Sequence, residues 1–407
     1  MLLFELAWRN IWRNPRRSWV VISIIAISVI SMYFYLGMNN GLIEQTINNI
    51  IDTHLSNLQI HKKGFNDDPN IKLNFKPGAR LLDMLKSDVR VKSFSKRVIA
   101  AGLIQSASAS GGGIVVGLEP EEEIKTTTIH KLLKQGDYLS NKDENGIVVG
   151  EKLTEKLHVG LNDKIVLMAQ SLSGDIEGGA FRIKGIYKTI SSDFDRAYVY
   201  INLARSQELF GLKDAVSEIA IRVHDQKQLP DVISSLKTSD KDNDKEFLSA
   251  REVMPILIKE LDKMRNWTFI VAVFFGIIIF LGMANVLMMV IFERTREYGI
   301  CRAIGTKPSH IFSMIGLETV FLTIIGLLIG ALLGIGIVYL YSVHGLNLAV
   351  FSEALSAWGV GSRIFFHLRF IDIVVTNALI FIFGIIGFLY PAYKISRLPI
   401  IKAIYFT

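Results

Sequence analysis

Residues 266–292 read NWTFIVAVFFGIIIFLGMANVLMMVIF, 27 consecutive positions without one charged side chain. About 20 apolar residues in a helix cross the hydrocarbon core of a bilayer. The stretch is long enough to span and too uniformly apolar for the amphipathic helix of a globular surface. Working outward, three more stretches meet the same test: 19–37 (WVVISIIAISVISMYFYLG), 311–342, interrupted only by Glu318, and 373–393. Composition agrees, with 50% hydrophobic and 20% charged residues in a chain of 407. The expected fold is an α-helical membrane protein with four transmembrane helices and a mixed α/β extracytoplasmic domain between the first and second spans.

Charge gives the orientation. Residues 41–265 hold 32 Lys/Arg and 32 Asp/Glu, so the whole net charge of +7 lies outside them. The short flanks carry the excess: Arg9, Arg13, Arg16 and Arg17 before the first span, Arg294, Arg296, Arg302 and Lys307 in 293–310, and Lys394, Arg397 and Lys402 in the tail. Positive flanks stay cytoplasmic. Both termini and 293–310 are therefore expected in the cytoplasm of an inner-membrane protein, with 42–265 and 343–372 outside. The neutral central region offers no basic field for nucleic acid. Cys301 is the one cysteine, so no intramolecular disulfide can form. The first apolar run is too long for a signal-peptide core and reads as an uncleaved anchor.

The expected boundaries are an interfacial elbow helix at 1–17, spans at 18–41, 266–292, 311–342 and 373–393, loops at 293–310 and 343–372, and a tail at 394–407. In LLFELAWRNIW (2–12), Phe4, Trp8, Ile11 and Trp12 share a helical face beside Arg9 and Arg13, and Asn14-Pro15 ends the helix. A helical apolar period in 42–58 and again in 251–265 predicts stalk helices on both sides of the outward domain. Inside it, 146–150, 163–169, 181–187, 197–201 and 218–223 read as strands. EKLTEKLHVG reads as a helix ending at Gly160, and 202–210 as one capped by Asn202 and stopped at Gly211.

Catalytic chemistry is not legible. No G-x-x-x-x-G-K-[ST] occurs, and Gly111-Gly112-Gly113 reads as a turn. His54 and His61 read as solvated surface. Glu121-Glu122-Glu123 after Pro120 reads as a helix N-terminus. The intramembrane polar residues are Glu318, roughly 10 Å inside the third span, and Asn285. A polar contact with a neighbouring helix or a cytoplasmic partner accounts for Glu318 more simply than a proton relay, and an interhelical hydrogen bond accounts for Asn285. Gly326, Gly330 and Gly334, at four-residue spacing, permit a close helix approach, either within the chain or at a dimer seam. Met32, Phe34 and Met38 in the first span, with Trp267, Phe269 and Phe274 in the second, are apolar and aromatic enough to hold acyl chains, or simply to face lipid.

ERTREYGICRAIG (293–305) resembles the coupling-helix signature of the FtsX-like/MacB permease family, with Tyr298 where the family pattern has Ile. ELAWRNIWRNPRRS at the start and YPAYKISRLPIIKAI (390–404) at the end resemble the family's opening and closing motifs. The resemblance implies an ABC transporter permease without enzymatic activity. Glu293, Arg294, Arg296, Glu297, Gly299, Arg302, Ala303 and Gly305 would meet a separate ATPase, which would bind ATP and Mg; this chain would bind no cofactor. It also implies a second permease subunit, a copy or a paralogue. Segments 102–123, 132–139 and 146–169 look like the lipoprotein-releasing permeases of LolC/LolE type. That implies a two-part outward domain and extraction of lipoproteins from the outer leaflet by mechanotransmission. The carrier-docking hook of that group corresponds to residues 170–180, here short and polar, which puts direct docking of a periplasmic carrier in doubt. Two other roles fit the family: a transmitter that controls an extracytoplasmic hydrolase, and MacB-like peptide or drug export.

Overall fold

The computed structural model describes residues 2–239, 244–293, 295–357 and 360–396. It divides into a helical unit, Met1–Ile43, Glu260–Asn347 and Arg363–Thr407, and an α/β unit, Glu44–Lys259 and Leu348–Ser362.

Among the described residues four helices are long and apolar enough to cross a membrane. They are Pro15–Ile50, Pro255–Glu293, Pro308–His344 and Phe370–Ser396, and a short helix, Leu2–Arg13, precedes them. Three of the four open on proline, whose missing N–H costs nothing at a first helical position. Gly326, Gly330 and Gly334 of the third helix face the first. A Cβ on Gly326 would lie 2.8 Å from Ile25 Cβ, and one on Gly330 2.8 Å from Val29 Cβ and 2.9 Å from the Ala26 carbonyl. The glycine stripe is thus an intrachain seam. Polar side chains fasten the same bundle: Tyr33 donates to Asn377 (3.1 Å), Asn39 to Thr268 (3.0 Å) and Asn40 to Asp372 (2.7 Å).

The stalk expectations need correction at both ends. The first helix runs to Ile50 and ends in a π-turn, Ile51–Leu55. The second begins at Pro255. Residues Ala250–Val253 form a separate turn, and Met254 (φ −118°, ψ 62°) leaves the helical region, because a residue before proline is pushed out of it.

Among its described residues the α/β unit is built on ten strands: β1 (Leu58–Lys62), β2 (Val91–Gln105), β3 (Ser110–Leu118), β4 (Leu133–Gly136), β5 (Gly146–Gly150), β6 (Lys164–Gln170), β7 (Ile176–Tyr187), β8 (Tyr198–Asn202), β9 (Glu218–Val223) and β10 (Lys245–Ser249). Because β6 pairs with both β2 and β7, strands β2, β3, β8, β5, β7 and β6 close into a ring. The first half of β2 instead pairs with β9, continuing through β1 to β10 as an open sheet. Strand alternation sends Ile147, Val149, Val199 and Ile201 into one core, and Val148 and Tyr200 to the opposite face. The open sheet has its own core, covered by helices Ala79–Ser87 and Leu229–Ser239 through Leu85, Val232 and Leu236.

Several local readings change. Gly111-Gly112-Gly113 is not a turn but part of β3, paired with Ile104, Leu103 and Gly102. A Cβ on Gly113 would meet Ile104 Cδ1 at 2.6 Å and the Ala197 carbonyl oxygen at 2.8 Å, so the glycine at 113 serves close packing in the strand, while Gly112 has open space beside it. Residues 170–180 are mostly a β6–β7 hairpin arm, with 171–175 left as its turn. Helix Glu151–Leu157 stops three residues before Gly160, on His158 in the left-handed region. His54 and His61 are buried, not solvated. The segment expected as one loop at 343–372 is divided: Leu346–Asn347 pairs with Arg363–Ile364 in the helical unit, whereas Leu348–Ser362 belongs to the α/β unit, where Ser356 lies 3.3 Å from Ser192 and Val360 is buried. Of the charged stretch KTSDKDNDKE (237–246), residues 240–243 lie outside the described residues.

Candidate functional site

The helix Thr295–Ala303 (TREYGICRA) lies between the second and third long helices. Gly305 ends the turn that follows at φ +101°, a conformation side chains resist, and Pro308 then opens the next helix. Thr295, Tyr298 and Gly299 are buried along one face, while Arg296, Glu297 and Ile300 are exposed, as helical spacing requires. Tyr298 is the anchor. It sits in an apolar cluster with Ile311 and Ile315 of the third long helix and Phe388 and Ala392 of the fourth. The departure from the family pattern at 298 is therefore a larger knob in a socket that two spans build.

The N-terminal helix braces the same end of the bundle. Arg13 Nη2 donates to both carboxylate oxygens of Glu297, at 2.6 and 2.7 Å. Both side chains are about half exposed, so the pair contributes no more than about 1 kcal/mol. Asn10 Nδ2 donates to Glu318 Oε1 at 2.6 Å. Phe4 and Trp8 meet Phe321 edge to face, at ring-centroid distances of 5.4 and 5.6 Å, and Ala7 and Ile11 are buried. Ser18 Oγ donates to the Ile11 carbonyl at 2.6 Å, closing the helix end.

The expected residues fall into separate groups. Of the coupling set, Arg296 and Glu297 are exposed, Gly299 is buried, Arg302 is half-buried, and Ala303 and Gly305 are exposed. Glu293 ends the second long helix, and Arg294 lies outside the described residues, as do Arg397 and Lys402. Asn285 is exposed on the chain's surface. The six acyl-holding candidates do not form one surface. Met32 is buried beside Phe275 and Ile380. Phe34 lies in an aromatic cluster with Tyr341 and Phe366, at 5.9 and 4.9 Å, and Met38 is half-buried. Trp267, Phe269 and Phe274 are exposed; with Ile270, Ile277 and Leu281 they leave the second span an open apolar face. The pairings of Asn10 and Arg13 escaped the sequence reading because their partners lie 308 and 284 positions away.

A helical membrane unit with a short helix packed at one end, and an α/β unit interposed between its first two spans, define a polytopic membrane protein with an inserted domain. Residues 18–239 match the MacB-like periplasmic core domain, and residues 269–400 the FtsX-like permease C-terminal domain. The chain belongs to this family and is an ABC transporter permease of the FtsX, MacB and LolC kind. It is 25% identical over 207 residues to an uncharacterized ABC transporter permease of Methanocaldococcus jannaschii, a match spanning half of each chain. It is 22% identical over 338 residues to the lipoprotein-releasing system transmembrane protein LolC of Xylella fastidiosa, covering 78% of both. With the macrolide export ATP-binding/permease protein MacB of Nitrobacter winogradskyi it shares 26% identity over 68% of this chain and 42% of that one.

Proposed function

We propose that this chain is the membrane subunit of an inner-membrane complex in which a separate ATPase, holding ATP and Mg, drives extraction of a lipid-anchored substrate such as a lipoprotein from the outer leaflet. A second permease subunit completes the complex. Both termini and Thr295–Ala303 face the cytoplasm, and the α/β unit faces out.

The observation that carries this reading is the helix Thr295–Ala303. One face is fixed between two spans by Tyr298, and the other presents Arg296, Glu297 and Ile300. A seated helix with an exposed face of mixed polarity is suited to receive a push from a soluble partner and pass it to the spans. Extraction needs such work, because each buried CH₂ of an acyl chain adds about 0.8 kcal/mol of anchoring. The likeness to LolC over most of both chains supports a lipid-anchored cargo; the likeness to MacB makes export the competing outcome.

Two experiments test the proposal. In a Cys301→Ser background, a membrane-impermeant maleimide should label Lys152→Cys but not Arg296→Cys in intact cells; equal labelling refutes the orientation. The tagged chain should co-purify with a nucleotide hydrolase, and its depletion should leave lipoproteins in the inner membrane. Unchanged lipoprotein sorting overturns the extraction reading, and capture of a cell-wall hydrolase in place of cargo establishes the transmitter role.

A further inference from the structure

Arg97 of β2 is 1% exposed and heads the largest fully buried side chains of the chain's described residues. Its guanidinium binds three separate elements. Nε and Nη2 donate to the two oxygens of Glu123, on helix Pro120–Thr126, at 3.0 and 2.6 Å. Nη1 donates to Glu218 Oε1 on β9 at 2.7 Å, and to the backbone carbonyl of His54 at 2.7 Å. That carbonyl belongs to the π-turn that ends the first long helix.

The surroundings are equally closed. His61 Nε2 lies 3.2 Å from the other oxygen of Glu218, and Thr127 donates to Glu123 at 2.7 Å. Burial pushes both carboxyls up, but Arg97 and the hydrogen bonds around it together more than reverse this: Glu123, bonded also by Thr127, is held below its ordinary value, and Glu218, with His61 beside it, falls to about 2. The turn itself is held from both halves of the unit. On the open-sheet side Arg222 donates to Asp52 at 2.6 Å. On the ring side the Thr128 backbone N–H donates to the Asp52 carbonyl at 2.8 Å.

An ion triad is a poor way to stabilise a dry interior, since apolar residues of similar volume often do as well or better; what the charges can add is geometry. Arg supplies a planar fork that Lys cannot reproduce. A carbonyl at a helix C-terminus has no partner within its own helix and carries partial negative charge, so a buried cation on His54 both satisfies and orients it. We propose that Arg97 is a positioning residue that locks the C-terminal end of the first long helix to both halves of the α/β unit, so that the three move as one body. The consequence for transport rests on the permease reading: a displacement of that helix end would reach both halves of the α/β unit together.

The test is amide hydrogen exchange of the full chain in phosphatidylethanolamine/phosphatidylglycerol nanodiscs. Two variants are compared with the parent. Arg97→Lys keeps the charge but not the fork. The triple variant Arg97→Met/Glu123→Gln/Glu218→Gln leaves no uncompensated buried charge and so guards against simple misfolding. Exchange at residues 51–56 and 123–128 should rise about tenfold or more in both, with β5 and β8 staying within about twofold of the parent. Unchanged protection at the turn overturns the proposal, and so does equal loss in β5 and β8, which would make the network a general stabiliser. In the ATPase complex, the triple variant should hydrolyse ATP at the parent's rate, while the ATP-dependent signal of a dye at Lys152→Cys falls about fivefold or more. A retained signal overturns the proposal. A parent that never engages a hydrolase overturns the permease reading instead, and the exchange result then decides on Arg97.

Discussion

Replacing Gly330 by Ala should destabilise the helical unit, whereas the same replacement at Gly336, six residues along the same helix, should not. An added Cβ at Gly330 meets Val29 Cβ at 2.8 Å and the Cα and carbonyl oxygen of Ala26 at 2.9 Å, while at Gly336 nothing lies within 4 Å. Ordinary contact begins near 3.4 Å. Backbone atoms cannot rotate aside, so the first and third helices must separate by about half an ångström. A gap of that size forfeits about a quarter of the dispersion well of each contact across the seam, including those at Gly326 and Gly334. Overpacking of this kind costs about 1–3 kcal/mol. Both variants gain the same helix propensity of Ala over Gly, so their difference isolates the packing and amounts to about 5- to 150-fold in the unfolding equilibrium. Reversible unfolding of the full chain in mixed micelles, followed by tryptophan fluorescence, measures it. Should Gly330→Ala prove as stable as Gly336→Ala, the close approach of these helices is refuted.

Glu218 has a folded pKa of about 2 against an ordinary 4.5, and that of Glu123 is also lowered. Their stabilisation is therefore complete above pH 4.5 and is lost as pH falls toward 2; melting curves through that window should fall more steeply for the parent than for Arg97→Met/Glu123→Gln/Glu218→Gln, and parallel curves would contradict the charged network. Glu318→Gln should keep an acceptor for Asn10 and retain full ATP-driven activity, whereas Glu318→Ala should lose about 1–3 kcal/mol of stability; a Gln variant that folds but is inactive would restore the proton-relay reading. Tyr298→Ala should cost about 3–5 kcal/mol, as other buried aromatic truncations do, and Arg13→Ala no more than about 1 kcal/mol. Chemical denaturation ranks the two, and the opposite order would show that the exposed ion pair, not the buried ring, seats the helix.

Residues 266–292 and their three counterparts could be read directly, since crossing a bilayer depends only on the length and polarity of a contiguous segment. The strand at 218–223 and the helix capped by Asn202 and stopped by Gly211 were legible for the same reason: alternation and capping are properties of neighbours in the chain. The glycine stripe of the third helix announced a close approach but not its partner, because spacing fixes which residues share a face and says nothing of what meets it. Gly111-Gly112-Gly113 misled because small residues serve a turn and a tight strand pairing equally well.

What only the tertiary structure decided was the fate of polar groups. Ser93, Ser95 and Arg97 alternate along β2 like a wet face, yet the π-turn and helix Pro120–Thr126 cover it. His61 reads as surface until strand pairing brings it within 3.2 Å of Glu218. Asn10 and Glu318 are 308 residues apart and meet at 2.6 Å. Burial of an apolar segment is written into its own composition, but a charge can be buried only where distant parts of the chain supply its partners, and no local pattern records them.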